Sequence, residues 1–325
     1  MALSRRKLLH LGAGAAALSG FPRTARAESY PSRPVRMMVG FAAGQAIDIV
    51  ARLAAQSLSE RLGQQFIVEN RPGAGGNLVT EQVVRAVPDG YTLLVVGANN
   101  AINASLYEKL NFNVLRDIVP VAGIYRVPQV MVVNPAFPAR TVPEFIAYVK
   151  ANPGKTNFGS AGVGSVAHVT GEYFKMMAGI DMTHVPYRGA PLALTDLLGG
   201  QVHVMFDNLP SSFEHIKAGR LRPLAVCSPA RLAALPDVPT VAAFLPGFET
   251  SAFAGLGAPK DTPAEIIDKL NKELNAGLAD PKLAARIVEI GGTPMPLSAA
   301  GFGELVATET EKWTKVVKFS GAKAT

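Results

Sequence analysis

The sequence predicts an α/β protein of two lobes, each a mostly parallel sheet flanked by helices. Three observations carry that prediction. From residue 30 onward, short and continuously apolar strand-like runs alternate with amphipathic helical ones, the pattern of parallel sheets covered on both faces. Two longer apolar stretches, VPVAGIYRVPQVMVV (119–133) and ETSAFAGLGAP (249–259), contain no helix and mark where the chain crosses between lobes. The 325 residues, 48% of them hydrophobic, can fill two ordinary cores, and such a composition excludes disorder.

The elements follow in order. VRMMVGF reads as the first strand, and IDIVARLAAQSLSERLG is an amphipathic helix that Gly63 stops. QFIVEN is the next strand, followed by the loop RPGAGGN, a helix LVTEQVVRAV ended by Pro88, the turn Asp89-Gly90 and the strand YTLLVVG. In the second half, TVPEFIAYVKANPG opens with Thr141 and Glu144 at capping-box spacing, and TPAEIIDKLNKELNAGL does the same with Thr262 and Glu265. Strands are expected at about 130–133, 156–159, 183–187, 202–206 and 221–227. The resulting organisation is a first lobe at 28–126, a second at 127–250, and a return to the first lobe with C-terminal helices at 251–325.

Residues 1–27 read as an export signal. They combine a basic start containing Ser4-Arg5-Arg6, a short apolar stretch from Leu8 to Leu18, and the cleavage site Ala25-Arg26-Ala27. The paired arginines resemble a twin-arginine signal, with an ordinary secretory signal as the alternative. Cleavage would leave a mature chain starting at Glu28 with 27 basic and 25 acidic residues, so the basic character belongs mostly to the signal. A nucleic-acid partner is therefore not expected. Cys227 is the lone cysteine, which excludes an intramolecular disulfide.

In open parallel sheets, ligands bind beyond the carboxyl ends of the strands. The segments so placed are FAAGQAID (41–48), GANN (97–100), GSAGVGS (159–165), YRGAP (187–191) and FDN (206–208). Phosphate cradling fails because Ser165 stands where a P-loop needs lysine. A nucleophile elbow fails because Phe158 and Val163, not glycine, stand two residues before Ser160 and Ser165. The mature histidines 168, 184, 203 and 215 lack metal-ligand spacing, so no metal or other cofactor is expected. Anion binding on backbone amides and helix N-termini survives, and a carboxylate suits it. Asp48 is read as a cap of the helix after the first loop. Arg188 is the arginine of these loops, either gripping a second carboxylate or bonded to nearby carbonyls in solvent.

Several segments together resemble one family in order along nearly the whole mature chain. They are the stretch SRPVRMMVGFAAGQAIDIVARLAAQSLSERLGQQFIVENRPGAGGN, then PDGYTLLVV, NFGSAGVGS, HVPYRGA, LTDLLGGQV, MFDNLPS, IKAGRLRPLAV and LPDVPTV. The sequence resembles the substrate-binding proteins of tripartite tricarboxylate transporters, the Bug family of periplasmic receptors. The resemblance implies a type II periplasmic-binding-protein clamshell that closes on a small organic di- or tricarboxylate. It also implies a monomer without catalysis, which delivers ligand to a small and a large membrane subunit. In that family, backbone amides and waters of two loops hold the carboxylate. The matching positions are Phe41, Ala42, Ala43, Gly44 and Asp48 on one loop and Ser160, Ala161, Gly162, Gly164 and Ser165 on the other, with Asp207 near the ligand or serving only its helix.

The chain departs from the family in reading GFAAGQAID where PFPAGGGTD is usual, so Ile47 replaces a hydroxyl donor, and its 97–105 region reads GANNAINAS in place of the common TNGTHAINP form. Both changes point to a more apolar ligand, such as an aromatic or medium-chain dicarboxylate. Two rival functions are a sensor that presents the acid to a signalling protein and a hydrolase using Ser165 and His168.

Overall fold

The computed structural model describes residues 30–324, so the export signal and the cleavage before Glu28 lie outside the described residues. The first elements are β1 (Val35–Val39), α1 (Ala46–Leu62), β2 (Phe66–Asn70), α2 (Asn77–Val84), β3 (Thr92–Gly97), α3 (Ala98–Leu106) and the short α4 (Val114–Asp117). They lead into β4 (Ile118–Val133), followed by α5 (Val142–Ala151), β5 (Asn157–Ser160), α6 (Val166–Ala178) and β6 (Thr183–Pro186). Next come α7 (Ala190–Leu198), β7 (Val204–Asn208), α8 (Leu209–Lys217) and β8 (Arg222–Val226). The chain ends with β9 (Ser251–Pro259), α9 (Ala264–Leu278), α10 (Pro281–Glu289), β10 (Thr293–Pro294) and α11 (Ala299–Ser320).

The strand order is β2-β1-β3-β9-β4-β7-β5-β6, and β4 is the strand both lobes share. Its first part, from Ile118 to Pro128, pairs antiparallel with β9. From Gln129 to Val133 it pairs instead with β7, and from Val130 to Val133 also with β8. Pro128 sits at the change, where a residue without an N–H ends one ladder. β1, β2, β3 and β4 run one way against β9, and β5, β6, β7 and β8 run one way against β4. Strands that carry helices are thus co-oriented in each lobe, and the reversed strand is the one at the crossing.

The cores follow from strand alternation. In the second lobe, Met131, Val133 and Phe206 pack on one side with Phe145, Phe158 and Phe174. Val130, Val132 and Met205 face the other side with Leu194 and Leu197. In the first lobe, Met38, Leu94, Val96, Phe253 and Phe302 share a core. A further cluster joins the lobes, with Trp313 of α11 packed among Ala101, Ile102 and Leu106 of α3 and Val169 of α6. Among the described residues, no helix is long and apolar enough to cross a membrane.

Local signals were obeyed unevenly. Gly63 closes α1 in the left-handed conformation, and the Thr141 hydroxyl accepts from the Glu144 N–H at 3.3 Å. The carboxylate of Glu144 accepts from the Arg140 N–H rather than completing the box at Thr141. The expected capping box at Thr262 and Glu265 is absent. Thr262 is buried and donates its hydroxyl to the Pro259 carbonyl at 2.7 Å, which leaves Pro263 as the cap without a side-chain bond. α2 stops at Val84, short of Pro88.

Candidate ligand-binding cleft

A cleft of about 520 Å³ opens where helices begin. Its walls are the first residues of α1 (Gln45, Ala46 and Ile47), α3 (Gly97, Ala98 and Asn99), α6 (Ser165, Val166 and Ala167) and α7 (Gly189, Ala190 and Pro191), with Asp207 and Asn208 at the start of α8. Its floor is Tyr125 of β4 with Ala252 and Phe253 of β9, the strands that meet at the crossing. Five helix N-termini therefore surround one space. The first N–H groups of a helix have no acceptor within it, and the aligned peptide dipoles put partial positive charge there. None of the lining residues is lysine, arginine or histidine, and Asp207 is the single acid among them.

The two expected binding loops are each braced from behind. In the first, Asp48 lies in the opening turn of α1 and is not its cap; Gln45 holds that position without a side-chain bond. The buried carboxylate reaches back to the Gly44 N–H at 2.8 Å, and it also accepts from Arg52 at 3.1 Å and Asn70 at 2.8 Å. The same Asn70 amide donates to the Phe41 carbonyl at 3.0 Å. Desolvation pushes the Asp48 pKa up, but the bonds from Arg52, Gly44 and Asn70 outweigh it and hold the group below its ordinary value. Of the positions expected on this loop, Phe41 lines the cleft, whereas Ala42, Ala43 and Gly44 are exposed outside its lining and Asp48 is buried beneath it.

The second loop is held by neutral groups. Ser160 is buried, and its hydroxyl accepts from the Gly162 N–H at 3.1 Å and shares a 2.6 Å bond with His184 Nε2. The His184 ring stacks on His168 with centroids 3.9 Å apart. His168 Nδ1 accepts from the Gly164 N–H at 3.1 Å, which places the neutral ring's proton on Nε2. Gly164 has φ of 76°, and a Cβ there would lie 2.3 Å from Leu106 of α3, so only glycine fits this turn. Here Ala161 and Ser165 line the cleft, while Ser160, Gly162 and Gly164 form the support.

The serine–histidine pair weighed for a hydrolase is not formed. Ser165 Oγ accepts from the His168 backbone N–H at 3.2 Å as the cap of α6, and the imidazole is bonded to Gly164 instead. Arg188 is exposed outside the cleft lining and makes no hydrogen bond or ion pair with another described residue. Asp207 does line the cleft. Its carboxylate accepts from the Ser212 hydroxyl at 2.6 Å, and Asn208 rather than Asp207 caps α8.

Comparison with known proteins decides the family. Residues 50–321 match the family described as "Tripartite tricarboxylate transporter family receptor". The chain belongs to that family. This receptor is 37% identical to Protein BugT of Bordetella pertussis over 313 residues, covering 94% of this chain and 95% of BugT. Among solved structures it is similar to R. palustris Rpa4515 with adipate, at 36% identity and a TM-score of 0.77, covering 90% of this chain and 99% of that one. It is also similar to MatC from Rhodopseudomonas palustris with bound malate, at 32% identity and a TM-score of 0.74, covering 89% of this chain and 100% of MatC.

The three residues of the cleft floor carry no motif: Tyr125, Ala252 and Phe253. Their signal in the sequence is indirect. Strands that cross between lobes must pass under any cleft the lobes enclose, and Tyr125 is the single aromatic residue of the run 119–133. Burial pushes its hydroxyl up to about 12, so it stays protonated. Burial also raises the Asp207 carboxyl to about 6, against the bonds from Ser212 and Asn208.

Proposed function

We propose that this receptor captures a small organic carboxylate between its lobes in the periplasm and delivers it to the membrane subunits of its transporter. The observation that carries the proposal is the convergence of five helix N-termini on a cleft lined by no lysine or arginine. Such a site stabilises an anion through fixed amides and dipoles, without the point charge a phosphate demands. The proximal carboxylate is assigned to the first-turn amides of α1, α3 and α6, with the Ser165 hydroxyl beside them. The adipate and malate held by the two structural neighbours support the same ligand class. Ser165 Oγ is engaged as the cap of α6 and the His168 imidazole is bonded to Gly164, an arrangement that supports binding without turnover. The export signal read at residues 1–27 supports the periplasmic site of action.

A thermal-shift screen of organic acids against their amides tests the reading. Ligand that binds only the folded chain at about 100 times its Kd adds roughly 2.7 kcal/mol, a rise of about 5 °C or more in Tm for a protein of this size. Carboxylates should raise Tm and the matched amides should not. Equal responses, or none, would overturn the carboxylate assignment.

A further inference from the structure

Resting on that reading, we infer that Tyr125 selects the ligand's far end, and that this end is an uncharged hydroxyl or carbonyl rather than a second carboxylate. Three independent features support this.

The first is an unsatisfied donor. Tyr125 is 4% exposed and lines the cleft, yet its hydroxyl has no hydrogen-bond partner among the described residues. The oxygen is not itself enclosed but open to the cleft, where a donor that no protein group engages offers a place for a ligand atom. The group stays protonated at any physiological pH and so donates.

The second is the backbone that aims it. The register between β4 and β9 slips between Gly123 and Tyr125, so that Ile124 is an extra residue and Tyr125 pairs with Ala254. Bulges of this kind re-aim a side chain, and they recur beside functional sites. Gly292 makes room for the ring where it now sits: a Cβ there would lie 2.7 Å from its Cδ2.

The third is charge. Three of the helix N-termini are assigned to the proximal carboxylate; those of α7 and α8 remain, with Asp207 beside them and no lining cation for a second carboxylate. Asp207 is 2% exposed and largely ionised at pH 7. A second carboxylate in the same enclosed space would be repelled and left without a cationic partner. A neutral acceptor suffers neither cost. The apolar wall of Phe41, Ile47 and Phe253 then suits the ligand's middle.

Calorimetry with three matched probes tests this: benzoate, 4-hydroxybenzoate and terephthalate, alongside hexanoate, 6-hydroxyhexanoate and adipate. The hydroxy acid of at least one series should bind best. Tyr125→Phe, which removes only the hydroxyl, should cost it about tenfold in affinity and leave the plain monoacid within twofold. Asp207→Asn should narrow the gap between the hydroxy acid and the diacid, a second readout if Tyr125→Phe folds poorly. A diacid bound best by the wild type, or a ranking unchanged in Tyr125→Phe, would overturn the role of Tyr125 while the carboxylate reading stands. No binding by any of the six at millimolar concentration would overturn that reading together with this one.

Discussion

The loops 41–48 and 159–165 do the same work by opposite means. Each presents a helix N-terminus to the cleft, and each is braced by buried side chains that reach its backbone amides. The first brace is ionic, an Asp48 carboxylate held by Arg52 and Asn70 and bonded to Gly44. The second is neutral, a Ser160–His184–His168 stack bonded to Gly162 and Gly164. Arg52 is half exposed and tolerates the charge at its end of the network, whereas the histidine pair is packed against Phe158. The difference sets which loop fails under which insult. An ionic brace needs its carboxylate charged; a stacked histidine brace needs its rings neutral.

Acid gives the largest expected effect. Burial, assisted by nearby Lys175, lowers His168 from 6.5 to about 4. Burial, His168 and Lys175 lower His184 to about 3. Below 6.5 the unfolded chain takes up protons that the folded chain refuses, so this stability is complete above 6.5 and is lost as pH falls toward 4. A shift of this size at His168 alone corresponds to about 3 kcal/mol. Asp207 opposes it in part, because its raised value makes the folded chain hold a proton between about 3.8 and 6. Asp48 contributes only in more acid solution, since its stabilisation persists above 3.8 and disappears as pH falls through its lower folded value. Melting curves from pH 7 to pH 4.5 should show the loss. His168→Asn, whose Oδ1 can accept the Gly164 N–H without titrating here, should flatten the curve. An unchanged slope would remove the neutral-brace argument.

Removing the ionic brace comes next. Asp48→Ala deletes the acceptor for Gly44, Arg52 and Asn70 at once, and breaking a buried charge network of this kind costs about 2–3 kcal/mol when one partner reaches solvent. Ligand affinity should fall with it, because the first turn of α1 loses its tether. Denaturant melts and calorimetry on one preparation check both. Stability lost with affinity retained would show that loop 41–48 does not grip the ligand.

Ser160→Ala is expected to be milder, about 1 kcal/mol, because one neutral hydrogen-bonded hydroxyl is lost and the histidine stack remains. The single tryptophan offers a direct view of whether the lobes respond. Trp313 is buried between α3 and α6, so its emission should shift when ligand draws the lobes together. A Ser160→Ala protein should show the same shift at higher ligand concentration. No shift in either protein would argue against closure on this seam.

How much of this was readable in the sequence differs between fold and site. Strand–helix alternation, Gly63 as a stop and the long apolar crossings gave the architecture, because burial periodicity is local and repeats in every element. Which loops line the cleft was also readable, since the strand ends of parallel sheets fix which loops border the space beyond them. What each residue does there was not. Ser160 and Ser165 look equivalent in GSAGVGS, yet one is buried as a brace and the other faces the cleft. Asp48 reads as a cap but sits within the first turn of the helix and reaches back. Thr262 has the spacing of a cap, and a nearby carbonyl took its hydroxyl. Tyr125 could be found only after its strand was known to form a floor, because a one-residue bulge decides where it points.

The smallest expected effect belongs to Arg188, and it separates two accounts of the cleft. The sequence offered it as the partner of a second carboxylate, being the arginine of the loop that precedes α7. Its side chain is exposed just before Gly189, Ala190 and Pro191, which do line the cleft, and it touches no other charged group among the described residues. A cation so placed acts on an approaching anion through solvent, where salt screens it within about 8 Å at physiological ionic strength. Arg188→Ala should therefore change equilibrium affinity by less than about twofold at physiological salt, and should slow association more noticeably in dilute buffer. Stopped-flow measurements on Trp313 emission at two salt concentrations, with a monoacid and a diacid of equal length, read both quantities. A loss confined to the diacid and insensitive to salt would instead mean that the lobes close far enough to bring the guanidinium onto the ligand, and the far end of the site would then belong to Arg188 rather than to Tyr125.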